Sequence, residues 1–503
     1  MTPPATRAGA IRRDPEGAAR GRFDLIVVGG GVLGIMIALE ATRRRLRPLL
    51  LERADFAGAT SHNSLRIVHG GLRYLQSLNL GRSLESVRER VWWLDRFPEI
   101  VRPLPCLMPL YGDGLRRPAA LRLGLLLSDL LCRWQTCGGA LPRGRTIDAG
   151  AVRRLCPALD PEGLRGGAIW SDAVVADPPR LFIEALRWAA AHGAGALNHL
   201  EVTGVLQEAG RVAGVQGRDL ETGATHVLRA ATVINSAGPW SGAFAASAGA
   251  VEPRLFEPVL AWNVMFRRAP PCNHALAVRA RQKGAQTYFL VPWRDRILAG
   301  TGYATWHGPP ERLGLPEPLL EGFIDELNAA LPGLELRGRD AIRSYVGLLP
   351  AARASSAEPT DRALVVDHGA AGGPARLFSV SAVKLTTARA LAERVLRRAF
   401  PAARPLPEGA FRRPPAVGWP AEHLLEVHQE AWRQALRRAV SEEAALHLDD
   451  LLLRRLCLGD DPAQALAVAP LACRLLGWDA ARAQVELERL NAALAQVVPA
   501  AVS

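Results

Sequence analysis

The chain has 503 residues, too many for one hydrophobic core, so two or three domains are expected. A hydrophobic content of 49% beside 22% charged residues excludes a mainly disordered chain. The net charge is +13, but 60 of the 62 basic residues are arginine and they are dispersed with no nucleic-acid motif, so nucleic-acid binding is not expected. A basic surface of this kind still suits peripheral contact with an anionic membrane. In chain order, residues 1–22 hold five arginines and no apolar stretch, which reads as a loose basic tail rather than a signal peptide. Phe23 to Val28 is a buried parallel strand by composition, followed by three glycines and a helix from about Val32 to Arg45. Arg47 to Glu52 is a second apolar run, which completes a βαβ unit.

Further along, Leu121 to Leu131 is interrupted by Arg122 and Asp129, falls short of the ~20 apolar residues a bilayer requires, and reads as a packed or interfacial helix. Asp177-Pro178-Pro179 opens a helix running to His192. Turn signals at 208–211 and 221–223 then predict a β-meander, and Ala231 to Ser236 a buried strand. Thr287 to Pro292 and Arg296 to Ala299 read as a hairpin. Residues 401–420, with six prolines, read as a linker, and the Leu/Ala-rich remainder as a small all-α domain. Seven scattered cysteines, none in a CxxC pair, support neither a zinc site nor a disulfide framework and point to the reducing cytoplasm.

The chemistry begins at Gly29-x-Gly31-x-x-Gly34, placed between strand and helix. The first glycine allows the turn, the second lets backbone approach a pyrophosphate, and the third lets helix and strand pack closely. Gly30 lies between the first two. Glu52, 18 residues after Gly34, stands where a carboxylate accepts ribose hydroxyls. Arg53 beside it also reads as a contact to the 2′-phosphate of NADP, so the triplet alone leaves the dinucleotide open.

The following segment, from Ala59 through Thr60, Ser61, His62, Asn63 and Ser64 to His69-Gly70-Gly71-Leu72-Arg73-Tyr74-Leu75, resembles the FAD-dependent glycerol-3-phosphate dehydrogenases of the D-amino-acid-oxidase-like superfamily. Ile234-Asn235-Ser236-Ala237-Gly238-Pro239-Trp240, Val291-Pro292-Trp293 with Gly300-Thr301, and Lys384-Leu385-Thr386-Thr387 match the family in order. So do Leu453-Arg454-Arg455, Leu458-Gly459 and Gly477-Trp478-Asp479, and the likeness covers about 23 to 490.

The resemblance implies an α/β fold with a Rossmann-like FAD-binding domain (23–90, 160–250 and 355–400), an antiparallel-sheet substrate domain (91–159 and 251–354) and a helical C-terminal domain (421–503). It implies FAD held by Gly29, Gly30, Gly31, Gly34, Glu52, Arg53, Thr60, Ser61, Asn63, Ser64, His69, Gly70, Gly71, Val202, Ala237, Gly238, Trp240, Lys384, Leu385 and Thr386. Gly70 and Gly71 are expected to let backbone approach the isoalloxazine. His62, His69 and His307 are candidate bases by residue type, and His69, in the matched motif, is expected to orient the flavin rather than act as the base. Arg73 is expected to anchor an anionic substrate and Tyr74 to hydrogen-bond it. Lys384 is one of two lysines in the chain, the other being Lys283, so a compact ammonium is required there, against the flavin or the substrate. No metal is expected. The implied reaction is oxidation of sn-glycerol 3-phosphate to dihydroxyacetone phosphate, with electrons passed to a quinone, in the cytoplasm or on the inner face of its membrane.

The departures fall on the substrate side. Leu349 stands where the family carries an arginine, no histidine occurs around Ala261-Trp262-Asn263, Gly302-Tyr303 replaces an acid, and Ala382-Val383 replaces glycines. Arg343, Arg353 and Arg362 are candidates to replace the lost guanidinium. Oxidation of another hydroxy acid or amino acid, or a non-catalytic flavin-binding role, therefore stays open.

Overall fold

The structure is a computed structural model that describes residues 9–71, 79–112, 141–250, 255–280, 285–382, 384–418 and 429–495. Strand Leu25–Val28 is buried at every position, as a strand covered on both faces must be. It pairs in parallel with Pro48–Leu51 and Val233–Asn235, and Gly195–Leu197 and Leu377–Ser381 extend the sheet on either side. Leu364–Asp367 adds an antiparallel sixth strand at one edge. The crossover helix Val32–Thr42 is buried from Gly34 to Thr42, lying under helices Pro178–Ala191 and Ala388–Ala399. Its nearly uniform apolarity is what such an inner helix needs.

A second sheet of nine strands supplies the other wall of the molecule. Its order is Ala341–Pro350, Pro258–Phe266, Arg296–Thr305, Tyr288–Trp293, Ala275–Val278, Val101–Leu110, Gly166–Val175 and Ile67–Val68, with Arg145–Ile147 also pairing to Gly166–Val175. Leu260, Trp262, Leu290 and Ile297 pack its outer face against Phe323 and Ile324 of helix Glu317–Ala330. The expected hairpin is Tyr288–Trp293 with Arg296–Thr305, and the expected meander is Leu200–Glu208, Arg211–Asp219 and Thr225–Ala230. Asp177 caps the Pro-Pro helix by accepting the Arg180 N–H at 2.9 Å. Sheet membership places Ile67–Val68 and Gly166–Val175 in the nine-stranded sheet, across the boundaries expected from sequence.

Two expectations are corrected. The segment before residue 23 is not a loose tail where it is described: Pro15–Arg20 is helical, Ile11 is buried, and Arg13 pairs with Asp219 at 2.7 Å. The proline-rich stretch is not a spacer either. Leu406 donates to the Arg43 carbonyl, Val417 donates to Glu184, and buried Phe411 stacks on Trp188 at 5.0 Å, so this stretch is strapped to helices Val32–Thr42 and Pro178–Ala191 beside the parallel sheet. Its prolines lack N–H groups to satisfy, which suits a surface strap as well as a linker.

The C-terminal helices Gln429–Glu442, Pro462–Leu476 and Ala480–Ala495, with a π-helical turn at Asp450–Arg455, close on Leu436, Leu451 and Leu490. Arg454 and Arg455 leave this domain to grip Asp55, just after the second parallel strand, at 2.7 Å each. The side chain of Arg455 is completely buried, and breaking such a pair from one side costs roughly 3–5 kcal/mol. No helix among the described residues is long and apolar enough to cross a membrane, and Leu121 to Leu131 lies outside them.

Candidate active site

Between the two sheets lies a cavity of about 1640 Å3, above the ~300–1,000 Å3 usual for small-ligand pockets. One end is built from the glycine crossover. Gly29 has φ +103°, and a Cβ there would lie 2.6 Å from the Ser236 carbonyl oxygen. A Cβ on Gly34 would lie 1.9 Å from the Gly29 oxygen, so no other residue lets this helix meet this strand. Gly30 is held against Glu52 and does not line the cavity, whereas Gly31 opens onto it with Ser61 as its neighbour. Glu52 accepts from the N–H groups of Gly30 at 2.7 Å and Ala54 at 2.8 Å. Burial pushes its carboxyl upward against the pull of those bonds and of Arg53. Val202, Ala237, Gly238 and Trp240 also line this end. Arg53 lies over the Trp240 ring at 4.1 Å, and Glu311 receives hydrogen bonds from both.

Thr60, Ser61, Asn63 and Ser64 line the cavity, but their side chains are engaged by protein first. Thr60 Oγ1 both donates to and accepts from Leu348 backbone, and Asn63 Nδ2 donates to the Val346 carbonyl at 2.8 Å. These two fasten the loop to strand Ala341–Pro350. Ser61 Oγ accepts the Val32 N–H at 2.9 Å and Ser64 Oγ accepts the Arg66 N–H at 3.3 Å, which leaves each hydroxyl proton to donate elsewhere.

At the far end His69 lines the cavity with its side chain about half exposed, and its Nδ1 lies 3.2 Å from Asp172 Oδ2. Asp172 is buried and also accepts the Gly70 N–H at 2.7 Å. Burial works to raise the Asp172 carboxyl, but His69, Arg90 and the Gly70 N–H together hold it below the usual carboxylate value. Gly70 is explained by protein contact, not by ligand approach: a Cβ there would fall 2.0 Å from Arg90 Nη1, and Gly70 does not line the cavity. Gly71, at φ +83°, does. The His69 N–H donates to Thr386 Oγ1 at 3.2 Å, which ties this wall to the segment of Lys384, Leu385 and Thr386, all three lining the cavity.

Arg73 and Tyr74 lie outside the described residues. Arg343 does not replace the lost arginine: it is buried, its Nη2 lies 2.8 Å from His62 Nε2, and it does not line the cavity. Arg353 and Arg362 do not line it either. His62 does not line the cavity and its Nε2 faces Arg343; burial, followed by Arg343, Arg454 and Arg66, drives its pKa well below the usual value. His307 is exposed away from the cavity. The substrate-side wall instead presents Leu349, Phe289, Tyr303 and Asn263, with Asn263 Oδ1 accepting from Thr301 at 2.8 Å and Nδ2 donating to the Asn63 carbonyl at 3.0 Å.

Sequence reading missed Asp172 and Arg82. The signal for Asp172 was a single carboxylate, beside Ser171, inside the mostly apolar run Gly166–Val175. Arg82 lines the cavity from the first turn of helix Leu80–Arg96 and pairs with Asp361, a contact between segments far apart in sequence. Among the described residues two side-chain groups come near metal-ligand geometry, both containing His199: one adds Glu221 and His447, the other Asp55 and Asp450. They are ion-pair junctions between domains: His447 bridges Glu221 and Glu486 at 2.9 and 3.0 Å.

A dinucleotide fits this cavity: a glycine crossover with an open Gly31, a carboxylate at the second strand end, and hydroxyl donors beside the helix N-terminus. Residues 24–398 match the model of the FAD dependent oxidoreductase family. Glycerol-3-phosphate dehydrogenase 1 of Mycobacterium tuberculosis is 33% identical over 416 residues, 80% of this chain and 78% of that protein. Glycerol-3-phosphate dehydrogenase of Mycobacterium leprae is 30% identical over 529 aligned residues, 94% and 88% of the two chains. The fold is similar to that of the glycerol-3-phosphate dehydrogenase from Bacillus halodurans complexed with FAD, with TM-score 0.74, 20% identity and 96% and 97% of the chains covered. The cavity and these likenesses agree: the chain is an FAD-dependent oxidoreductase that belongs to the glycerol-3-phosphate dehydrogenase family.

Proposed function

We propose that this protein oxidises sn-glycerol 3-phosphate to dihydroxyacetone phosphate, with a quinone as final electron acceptor. The observation that carries the reading is the His69–Asp172 pair, a cavity-facing imidazole whose other nitrogen meets a buried carboxylate. Bound FAD supplies the two-electron acceptor for the carbon–hydrogen bond, held by the glycine crossover, Glu52 and the Lys384–Thr386 segment. The substrate hydroxyl loses its proton as the carbon is oxidised, and His69 Nε2 is the group this chain offers to take it. Asp172 orients the imidazole through Nδ1 and stabilises the cation formed, an arrangement in which base and orienting acid act as a unit. Lys384 holds negative charge at the same end of the cavity, and Arg82 is a further cation among those that line it.

The names of the curated relatives support the substrate. Oxidation of another hydroxy acid or an amino acid is the second reading, favoured by the uncharged Leu349 and Asn263 on the substrate-side wall. Anaerobic mixing of purified protein with glycerol 3-phosphate, hydroxy acids and amino acids decides between them. Bleaching of the flavin band by glycerol 3-phosphate at micromolar to millimolar levels is the expected result, and bleaching only by another substrate overturns it. Contact with an anionic membrane face, where a quinone acceptor would be met, is supported by the net charge of +13. Binding to anionic vesicles should then weaken sharply between low and high salt, since charges are screened within ~10 Å at 0.1 M. Equal recovery without vesicles at every salt concentration removes the membrane contact.

A further inference from the structure

The loop between Ser64 and His69 turns through Arg66, whose φ of +66° is left-handed, a conformation a long side chain rarely adopts. Such backbone persists where surrounding contacts over-determine it. Here the contacts come from the other end of the chain. Asp460, in the C-terminal domain, takes both ends of the Arg66 guanidinium: Nη1 donates to Oδ2 at 2.8 Å and Nη2 to Oδ1. The same carboxylate accepts from Tyr345 Oη at 2.7 Å and Trp293 Nε1 at 2.9 Å. Arg66 in turn stacks over the Trp293 ring at 4.3 Å and donates to Tyr345 Oη at 3.0 Å. The neighbouring Gly459 makes room for Arg343, whose Nη1 would lie 2.3 Å from a Cβ there.

One carboxylate therefore joins three parts of the cavity wall: the His69 loop, strand Tyr288–Trp293 and strand Ala341–Pro350. Arg66 itself lines the cavity, and Val175 donates to its carbonyl at 2.8 Å, in the strand that carries Asp172. We propose that Asp460 is a positioning residue for the active site: acting through Arg66, it makes the C-terminal helical domain a strut that holds the His69 loop in register with Asp172. The proposal rests on His69 serving the reaction and not on which substrate is oxidised.

Asp460→Asn keeps the shape and removes the charge. Assayed well below its melting temperature and per bound FAD, it should lower kcat roughly 10- to 100-fold with little change in KM, the effect of a small misplacement of reacting groups. Asp460→Glu should recover part of the loss. Asp461→Asn is the control at the same junction, since Asp461 holds Arg296 at 2.7 Å and caps helix Pro462–Leu476 without touching Arg66. It should lower the melting temperature alone. In an Arg66→Gln background, adding Asp460→Asn should cost nothing further if the two act as one unit. The assay uses whichever substrate bleaches the parent flavin, so failure of the glycerol 3-phosphate reading is seen in the parent and failure of the strut in the ratio of variant to parent. The visible circular dichroism of bound flavin needs no substrate and should change in Asp460→Asn but not in Asp461→Asn. An Asp460→Asn protein that loses stability yet keeps the parental kcat and flavin spectrum overturns the proposal, as does additivity with Arg66→Gln.

Discussion

The glycine crossover and the substrate-side wall enclose one cavity, yet they are specified differently. At the crossover the wall is backbone and the packed glycines answer steric demands: Gly34 meets the Gly29 oxygen inside the βαβ unit, and Gly29 meets Ser236 at the end of the neighbouring parallel strand. On the opposite wall the surface is side chain. Asn263 is set by Thr301 and by the Asn63 carbonyl, while Leu349 and Phe289 come from different strands of the nine-stranded sheet. Where its glycines are packed, a backbone site tolerates no side chain. A side-chain site can be rewritten one residue at a time.

This contrast can be broken most severely at the crossover. Gly34→Val should abolish FAD binding and most soluble yield, because its side chain enters space occupied by the Gly29 oxygen. Gly31→Trp should spare the fold and give apoprotein, since only Ser61 lies near a Cβ there and the rest faces the cavity. FAD content after denaturation reads both, and a yellow Gly31→Trp protein refutes the pyrophosphate cradle.

The opposite end should lose chemistry while keeping cofactor. Asp172→Asn is expected to lower kcat/KM by roughly 10²- to 10⁴-fold, the usual worth of an oriented general base. Its pH profile should change along with the rate, and a near-parental value removes Asp172 from the mechanism. Lys384→Ala is expected to cost roughly 10- to 150-fold, the equivalent of one charge-assisted hydrogen bond. Leu349→Arg tests the rewritten wall directly: it should raise kcat/KM for glycerol 3-phosphate if the parent lacks a phosphate contact, and leave it unchanged if Arg82 and Lys384 already supply one.

The smallest expected effect lies at the domain junction. Burial works to lower the His447 pKa, but its bonds to Glu486 and Glu221 outweigh that and push it up to about 8. A folded pKa above the ordinary 6.5 means protonation favours the folded state. The stabilisation is fully present below about pH 6.5 and is lost as pH rises through about 8, by an amount on the order of 1–2 kcal/mol. Denaturant melts of parent and His447→Ala between pH 6 and 9 should converge at the alkaline end. Parallel curves discard the assignment.

The βαβ unit, the meander, the Pro-Pro helix and the helical C-terminal domain were legible because each rests on local periodicity, caps or turns within some tens of residues. The motif His69-Gly70-Gly71 was legible as a pattern, but the reason for Gly70 was not, since Arg90 lies on another helix. Asp172 showed only as a carboxylate in an apolar strand, and its partner became visible once Gly166–Val175 paired with Ile67–Val68. The first residues read as a tail and 401–420 as a spacer because their anchors, Arg13 to Asp219 and Val417 to Glu184, lie 206 and 233 residues apart in sequence. By itself, then, the sequence determined the cofactor-binding crossover and the order of elements, which depend on neighbours in the chain. Only the tertiary structure decided which cations face the cavity, which histidine has a carboxylate behind it, and that Asp460 reaches Arg66. Those are pairings between distant segments, and burial and charge select among them only after the sheets have closed.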